Sequence, residues 1–342
     1  MIQFLVSIVV ILSAILIVQL VKFFELLAHL KGQGADDINE KDNKMNARLM
    51  MLFLIGFFAF FFWMLVTYKD KLLPVAASEH GAITDWLFNF NMLILIITFA
   101  FTHILLFYFA FKYYSRKDNT AVYFPHNNKL EMIWTVIPAI VLIVIIMFGL
   151  KTWNKITEPP KTESLLIELY AKQFDWTARY AGKDNKLGKS SFRLITNTNP
   201  LGVDSTDIKA ADDIIIKGEF HIPVKKEVAF DFRSQDVIHS AFMPHFRAQM
   251  NCVPGMVTMF HFTPTITTSE MRKITNNPAF DYILLCSKVC GSAHFNMQMT
   301  IVVDTESDYK KWLAEQQSKT FKQPLIAEIK KENTDTLAVI KQ

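Results

Sequence analysis

Hydrophobic residues follow two regimes along this chain. Up to Lys151 they form long runs almost free of charge; beyond it they form short bursts separated by polar, Gly- or Pro-containing turns. Four runs, residues 2–21, 49–66, 93–111 and 133–150, each approach the ~20 apolar residues that a helix needs to cross a bilayer. Four such runs in succession, rich in Phe and Ile, fit membrane spans better than the buried helices of a soluble protein. Trp63, Trp86, Trp134 and Trp153 lie near the span ends, where indole rings favour the membrane interface. The first run lacks a basic leader and a small-residue cleavage site, so it reads as a retained helix rather than a signal peptide.

Past Lys151 the segments 165–170, 229–232, 257–262, 282–285 and 299–303 are short and rich in β-formers, the pattern of an all-β sandwich or barrel. Residues 183–213 read as a long loop or insertion, 309–317 as a helix, and the last twenty or so residues as a polar tail. The expected division is 1–70 for two N-terminal spans, 71–151 for a second helical hairpin, 152–315 for the β domain and 316–342 for the tail. Loop one carries Lys31, Lys41, Lys44 and Arg48, diluted by Asp36 and Asp37; loop three carries Lys112, Arg116, Lys117 and Lys129. Loop two has only Lys69 and Lys71. The bias places loops one and three in the cytoplasm and everything after Lys151 outside.

Composition sharpens this picture. The 342 residues include 30 Phe, and the mean hydropathy is +0.22. A net charge of +4 without a basic block argues against a nucleic-acid partner. The three cysteines, Cys252, Cys286 and Cys290, are too few for a disulfide framework. Cys252 reads as a buried free thiol.

The strongest chemical signal is the run Cys286-Ser-Lys-Val-Cys290-Gly-Ser-Ala-His294-Phe-Asn-Met297. Two thiols, an imidazole and a thioether in one loop suit a soft metal such as copper, zinc or iron. A disulfide between Cys286 and Cys290 is an alternative, as is zinc, although Met is a weak zinc ligand. A single copper would need only one Cys, so two Cys suit a bridged copper pair. Such a pair needs a second imidazole, which Asp236-Val-Ile-His239-Ser can supply from the end of a strand-like run.

Taken together, these residues resemble subunit II of the haem–copper oxidases. The resemblance covers roughly residues 86–312 and includes the C-S-x-x-C-G-x-x-H-x-x-M loop, the D-V-x-H-S segment, the turn Val253-Pro254-Gly255, and Glu131-Met-Ile-Trp134-Thr-Val-Ile-Pro138. It implies a cupredoxin-like Greek-key sandwich with a binuclear copper centre, CuA, beside a transmembrane hairpin. In that reading Cys286 and Cys290 bridge the coppers. His239 and Met297 complete one, and His294 with the backbone carbonyl of Lys288 completes the other. Glu131 would stand at the mouth of a proton channel. The implied partners are subunit I, with its haems and CuB, other oxidase subunits, a c-type cytochrome donor and membrane lipid. The implied location is a bacterial inner membrane, with the copper domain on the periplasmic side. The two N-terminal spans are extra to the family's hairpin.

Three departures stand out. Lys288 replaces a Glu that helps hold magnesium in the family, which argues against a magnesium site here. The aromatic run through which electrons reach the copper reads Gln173-Phe174-Asp175-Trp176, with Phe174 in place of a Trp and Trp176 two residues on. That change points to a membrane-bound cytochrome donor in a supercomplex. The turn reads Asn251-Cys-Val-Pro-Gly-Met256, without the family's two charges, and the nearby His245 reads as a packing residue. A quinol oxidase subunit II would lack the copper ligands. The electron-accepting domain of a nitrous- or nitric-oxide reductase would lack the segment 131–138. A copper carrier would expose fewer ligands.

Overall fold

The computed structural model describes residues 2–30, 39–116, 119–161, 163–316 and 320. Lys31, Asp36, Asp37 and Lys117, which weigh in the loop charges, lie outside these residues, as does the tail beyond Gln316 apart from Thr320. Among the described residues four helices are long and apolar enough to span a membrane. They are α1 (Ile2–Leu30), α2 (Glu40–Leu72), α3 (Glu79–Lys112) and α4 (Asn128–Thr157). Each runs beyond its apolar stretch, because polar flanking residues continue the helical hydrogen bonding into water.

The chain divides into two compact units. One is Met1–Tyr68 with Leu95–Met132; the other is Lys69–Ile94 with Ile133–Gln342. In the first, Phe53, Phe57 and Phe61 recur every four residues and so share one face of α2. That face meets α3, with Phe53 against Phe107 at 5.7 Å between ring centroids and Phe61 against Phe99 at 4.9 Å. His103 stacks on Phe57 at 5.8 Å, and its Nδ1 bonds the carbonyl of Phe99 within its own helix.

The second unit holds the first half of α3, nearly all of α4 and a sandwich of two five-stranded sheets. The first sheet consists of β1 (Leu165–Lys172), β2 (Asp175–Tyr180), β3 (Ile214–Lys217), β5 (Val228–Ser234) and β8 (Thr258–Phe262), in the order β3-β2-β1-β5-β8. The second consists of β4 (Glu219–Pro223), β6 (His239–Met243), β7 (Ala248–Cys252), β9 (Tyr282–Cys286) and β10 (Gln298–Asp304), in the order β4-β10-β9-β6-β7. Alternate residues face inward: Ile167, Leu169, Trp176, Phe230, Phe232, Leu284 and Ile301 are fully buried. Each such side chain contributes about 1.5–3 kcal/mol of apolar burial. Helix α5 (Thr268–Ile274) starts at a capping box between Thr267 and Glu270, and α6 (Glu306–Gln316) closes the fold.

The opposite face of the first sheet carries buried charge. Arg179 is 1% exposed and pairs with Glu168 at 2.5 Å and Asp213 at 3.0 Å, while Arg233 reaches Glu168 at 3.2 Å. Arg179 also donates to the carbonyl of Gly188 at 3.0 Å, and Gly188 N–H donates to Asp213. The insertion after β2 is therefore fastened over these charges. At Gly188 a Cβ would lie 2.3 Å from that of Ala210, so only glycine allows this approach.

The segment leading into α3 is stitched to the sandwich. Ala77 N–H donates to His245 O at 2.7 Å, Thr265 N–H to Ala77 O at 2.9 Å and Glu79 N–H to Thr263 O at 3.1 Å. Arg247 makes a two-pronged ion pair with Asp85 at 2.7 and 2.8 Å. At the same end Trp86 stacks on Phe90 at 5.5 Å and meets Phe148 of α4 edge-on at 5.4 Å.

Candidate metal centre

Residues from two strands and one loop converge at one end of the second sheet. Cys286 is the last residue of β9, and the loop that follows brings Lys288, Cys290, His294 and Met297 back before β10. His239 opens β6; it does not end a strand, as the sequence pattern suggests. The pairing of Ala241 with Cys286 across β6 and β9 brings His239 beside the loop.

The donor atoms are evenly spaced. Cys286 Sγ lies 3.9 Å from Cys290 Sγ, 3.8 Å from His239 Nδ1 and 3.2 Å from the carbonyl oxygen of Lys288. Cys290 Sγ lies 3.6 Å from His294 Nδ1 and 3.8 Å from Met297 Sδ. A disulfide needs about 2.05 Å between sulfurs, so these two cysteines are free thiols. Around a metal with bonds of about 2.3 Å to sulfur and 2.0 Å to nitrogen, tetrahedral ligand atoms sit roughly 3.5–3.8 Å apart. The observed spacings match. His239, Cys286 and Cys290 form a metal-holding group among the described residues, and all three are buried. Burial and the neighbouring sulfur of Cys286 push the Cys290 thiol up to about 11. At neutral pH it stays protonated until a bound metal displaces the proton to solvent.

A set of outer partners fixes the ligands. His239 Nε2 lies 2.8 Å from Asp236 Oδ1, which leaves Nδ1 facing Cys286. Burial raises the Asp236 carboxyl, but hydrogen bonds from His239 and the N–H groups of Gln173 and Val237 more than offset this and hold it below the usual range. Gln173 also donates its side-chain amide to Cys290 O at 2.5 Å. The loop's sequence gives no hint of Gln173; Asp236, three residues before a His, is the kind of signal that could have found the second partner. Asp236→Ala should lower copper affinity by ~10–100-fold, the usual cost of removing a ligand's outer partner. A copper titration against a competing chelator checks this; unchanged affinity would rule out the orienting role.

The remaining candidates separate. The Phe174 ring packs on the loop: a Cβ at Gly291 would lie 2.8 Å from it. Trp176 is fully buried, 6.3 Å from the His239 ring between centroids. Buried there, it does not itself reach the surface. Val289 and Phe295, beside Cys290 and His294, are 84% and 85% exposed. Lys288 is exposed, and its ammonium has no lone pair to offer magnesium. His245 packs edge-on against Phe280 and Tyr282. Glu131 does not belong to this cluster; it lies exposed in the first turn of α4, which Asn127 caps.

Comparison with known proteins then identifies the lineage. The family model for the cytochrome c oxidase subunit II transmembrane domain matches residues 67–152, and that for the periplasmic domain matches residues 165–305. An alternative cytochrome c oxidase subunit 2 from Bradyrhizobium diazoefficiens is 36% identical over 248 residues, covering 72% of this chain and 83% of that one. The chain belongs to the cytochrome c oxidase subunit II family. Cytochrome c oxidase subunit 2 of Cereibacter sphaeroides is 24% identical over 261 residues, covering 72% of this chain and 79% of that one. The crystal structure of the periplasmic domain of a Bradyrhizobium japonicum subunit II aligns at a TM-score of 0.32 and 22% identity, over 47% of this chain and 98% of that domain. The transmembrane match takes in α3 and α4, whereas α1 and nearly all of α2 precede it. This subunit II is an integral protein of the bacterial inner membrane, with its sandwich on the periplasmic side.

Proposed function

We propose that this chain is the electron-accepting subunit of a haem–copper terminal oxidase, taking electrons from a c-type cytochrome and passing them to subunit I. The observation that carries this reading is the ring of two thiols, two imidazoles, a thioether and a carbonyl, with neighbouring donors 3.2–3.9 Å apart. A CuA pair bound there would supply one-electron chemistry shared between two metals. Cys286 and Cys290 would bridge it. His239 with Met297 would complete one side, and His294 with the Lys288 carbonyl the other.

The chain's own residues then do the rest. Cys286, Cys290, Met297 and His239 are buried, so the charge on the centre changes in an apolar shell that excludes water. Asp236 and Gln173 hold the ligands in place before and after the electron arrives, which keeps rearrangement small. Phe174, part-exposed against the loop, offers a contact for the donor. The Lys288 carbonyl serves as a ligand whatever the side chain, so losing the family's Glu at this position leaves the copper site intact. The two extra helices and the altered aromatic run support a membrane-bound cytochrome donor in a supercomplex. Subunit I would carry the haems and CuB, and oxygen reduction there would drive proton pumping.

The test is to load the purified full-length chain with copper, count the metal and record its paramagnetic resonance spectrum. Two coppers per chain, with hyperfine structure too rich for one nucleus, are expected; a single copper with a simple pattern would overturn the reading. Glu131 is proposed to pass protons inward from the cytoplasmic side. Glu131→Ala should slow turnover of the assembled oxidase while leaving the copper spectrum unchanged. Full turnover in that variant would remove Glu131 from the proton path.

A further inference from the structure

Where α3 begins and α4 ends, the two helix ends and edge strand β8 enclose a cavity of about 180 Å³, room for about six water molecules. Two hydrogen-bond acceptors in its lining are His80 and Glu227, the latter paired with His261. His80 is 9% exposed, and its Nε2 lies 3.3 Å from the carbonyl oxygen of Arg247. A carbonyl can only accept, so Nε2 carries the hydrogen and, in the neutral ring, Nδ1 is a lone-pair acceptor. No described residue partners that Nδ1. Beside it, Glu227 accepts from the Lys161 N–H at 2.7 Å and from the Ser164 hydroxyl. Burial pushes the Glu227 carboxyl up, but these two bonds outweigh it and hold the group below the usual range. Its second oxygen stays in the cavity, 3.6 Å from His261 Nδ1.

The rim carries both signs of charge. Lys155, Lys161, Glu79 and Glu158 all line the cavity, yet none forms a side-chain ion pair among the described residues. Cations and carboxylates held apart around these two acceptors suit a ligand that itself carries an ammonium and an anion. The height is informative too. Trp86 and Trp153, 52% and 63% exposed, lie within two turns of these helix ends, at the level that indole rings take among lipid head groups.

We propose that this cavity binds the head group of an outer-leaflet phosphatidylethanolamine-type lipid, its ammonium on Glu227 and His80 and its phosphate at Lys155 and Lys161. A primary ammonium brings three N–H donors to these acceptors. A choline head group has no N–H to give, and a glycerol head group has no positive charge for Glu227.

The test is native mass spectrometry of the full-length chain released from micelles holding equal amounts of phosphatidylethanolamine, phosphatidylcholine and phosphatidylglycerol. The ethanolamine lipid should be retained at least fivefold over either of the others. The double variant Glu79→Gln/Glu227→Gln should lose that preference, while its far-ultraviolet dichroism and copper uptake match the parent and show that it folds. Soluble glycerophosphoethanolamine at millimolar concentration should displace the bound lipid. Equal retention of the three lipids, or a preference that survives the double variant, would overturn the proposal. So would failure of the soluble head group to compete, since retention would then belong to the acyl chains. Copper binding is not needed for the readout, so the outcome is independent of the electron-transfer reading.

Discussion

Replacing Cys290 by serine is expected to leave the purified chain with at most one copper ion. The assembled oxidase should then lose electron transfer by more than the ~10–100-fold typical of removing a ligand's outer partner. Cys290 touches three of the other donors at once: Cys286 at 3.9 Å, His294 at 3.6 Å and Met297 at 3.8 Å. A serine hydroxyl is a hard, weakly acidic donor and cannot bridge two soft metal ions. The third cysteine provides the contrast. Cys252 pairs with His239 across β6 and β7, yet it is fully buried, and burial pushes its thiol up to about 12. It stays protonated and outside the donor ring, so Cys252→Ser should keep two coppers. A Cys252→Ser chain that loses copper while Cys290→Ser keeps it would reverse the assignment of the bridging thiols.

Arg179→Met should cost the outer domain about 3–5 kcal/mol, the usual effect of removing one partner from a buried ion pair. The guanidinium lies between Glu168 and Asp213, and all three side chains are at most 2% exposed. Without it, among the described residues Glu168 keeps only Arg233, and Asp213 keeps only the N–H of Gly188. The insertion, held to Arg179 through the Gly188 carbonyl, should loosen with it. Denaturant unfolding followed by Trp fluorescence would measure the loss. Arg179→Met/Glu168→Gln/Asp213→Asn should recover much of it, because no charge is then left buried alone. A triple variant as unstable as the single one would show that the cost is lost packing rather than orphaned charge.

The same network sets a pH dependence. Burial raises the Asp213 carboxyl to about 6, against the pull of Arg179. Its folded value thus lies above the unfolded value of about 3.9. A group raised in the folded state stabilises fully below its unfolded pKa, and that contribution is lost as pH rises through the folded one. The contribution of Asp213 to stability should therefore decline between about pH 4 and pH 6, and that of Asp231, also raised by burial, changes in the same direction. The decline should be shallower in Asp213→Asn. Identical slopes for the two proteins would falsify the link to Asp213.

Much of the architecture is legible in local pattern. The four apolar runs fix the spans; 165–170, 229–232, 282–285 and 299–303 fall in strands, and 257–262 does so from Thr258 onward. Other strands escape that reading for physical reasons. β2 reads Asp-Trp-Thr-Ala-Arg-Tyr, whose charges look solvated until Glu168 and Asp213 bury Arg179. β4, with Glu219, His221 and Pro223 in five residues, becomes a strand through its parallel pairing with β10. Parallel pairs join distant segments and leave little local trace.

The candidate site divides along the same line. The spacing of Cys286, Cys290, His294 and Met297 within one loop determines the donor types and hence a soft metal, because a twelve-residue loop brings its own side chains together whatever the fold. His239 comes from 47 residues earlier, and only the β6–β9 pairing sets it 3.8 Å from Cys286. The orienting roles of Asp236 and Gln173, and the burial of Trp176 away from the surface, likewise arise from strands meeting across the sandwich. Sequence determined which ligands this protein can offer; tertiary structure decided which residues hold them, because orientation depends on neighbours that are remote along the chain.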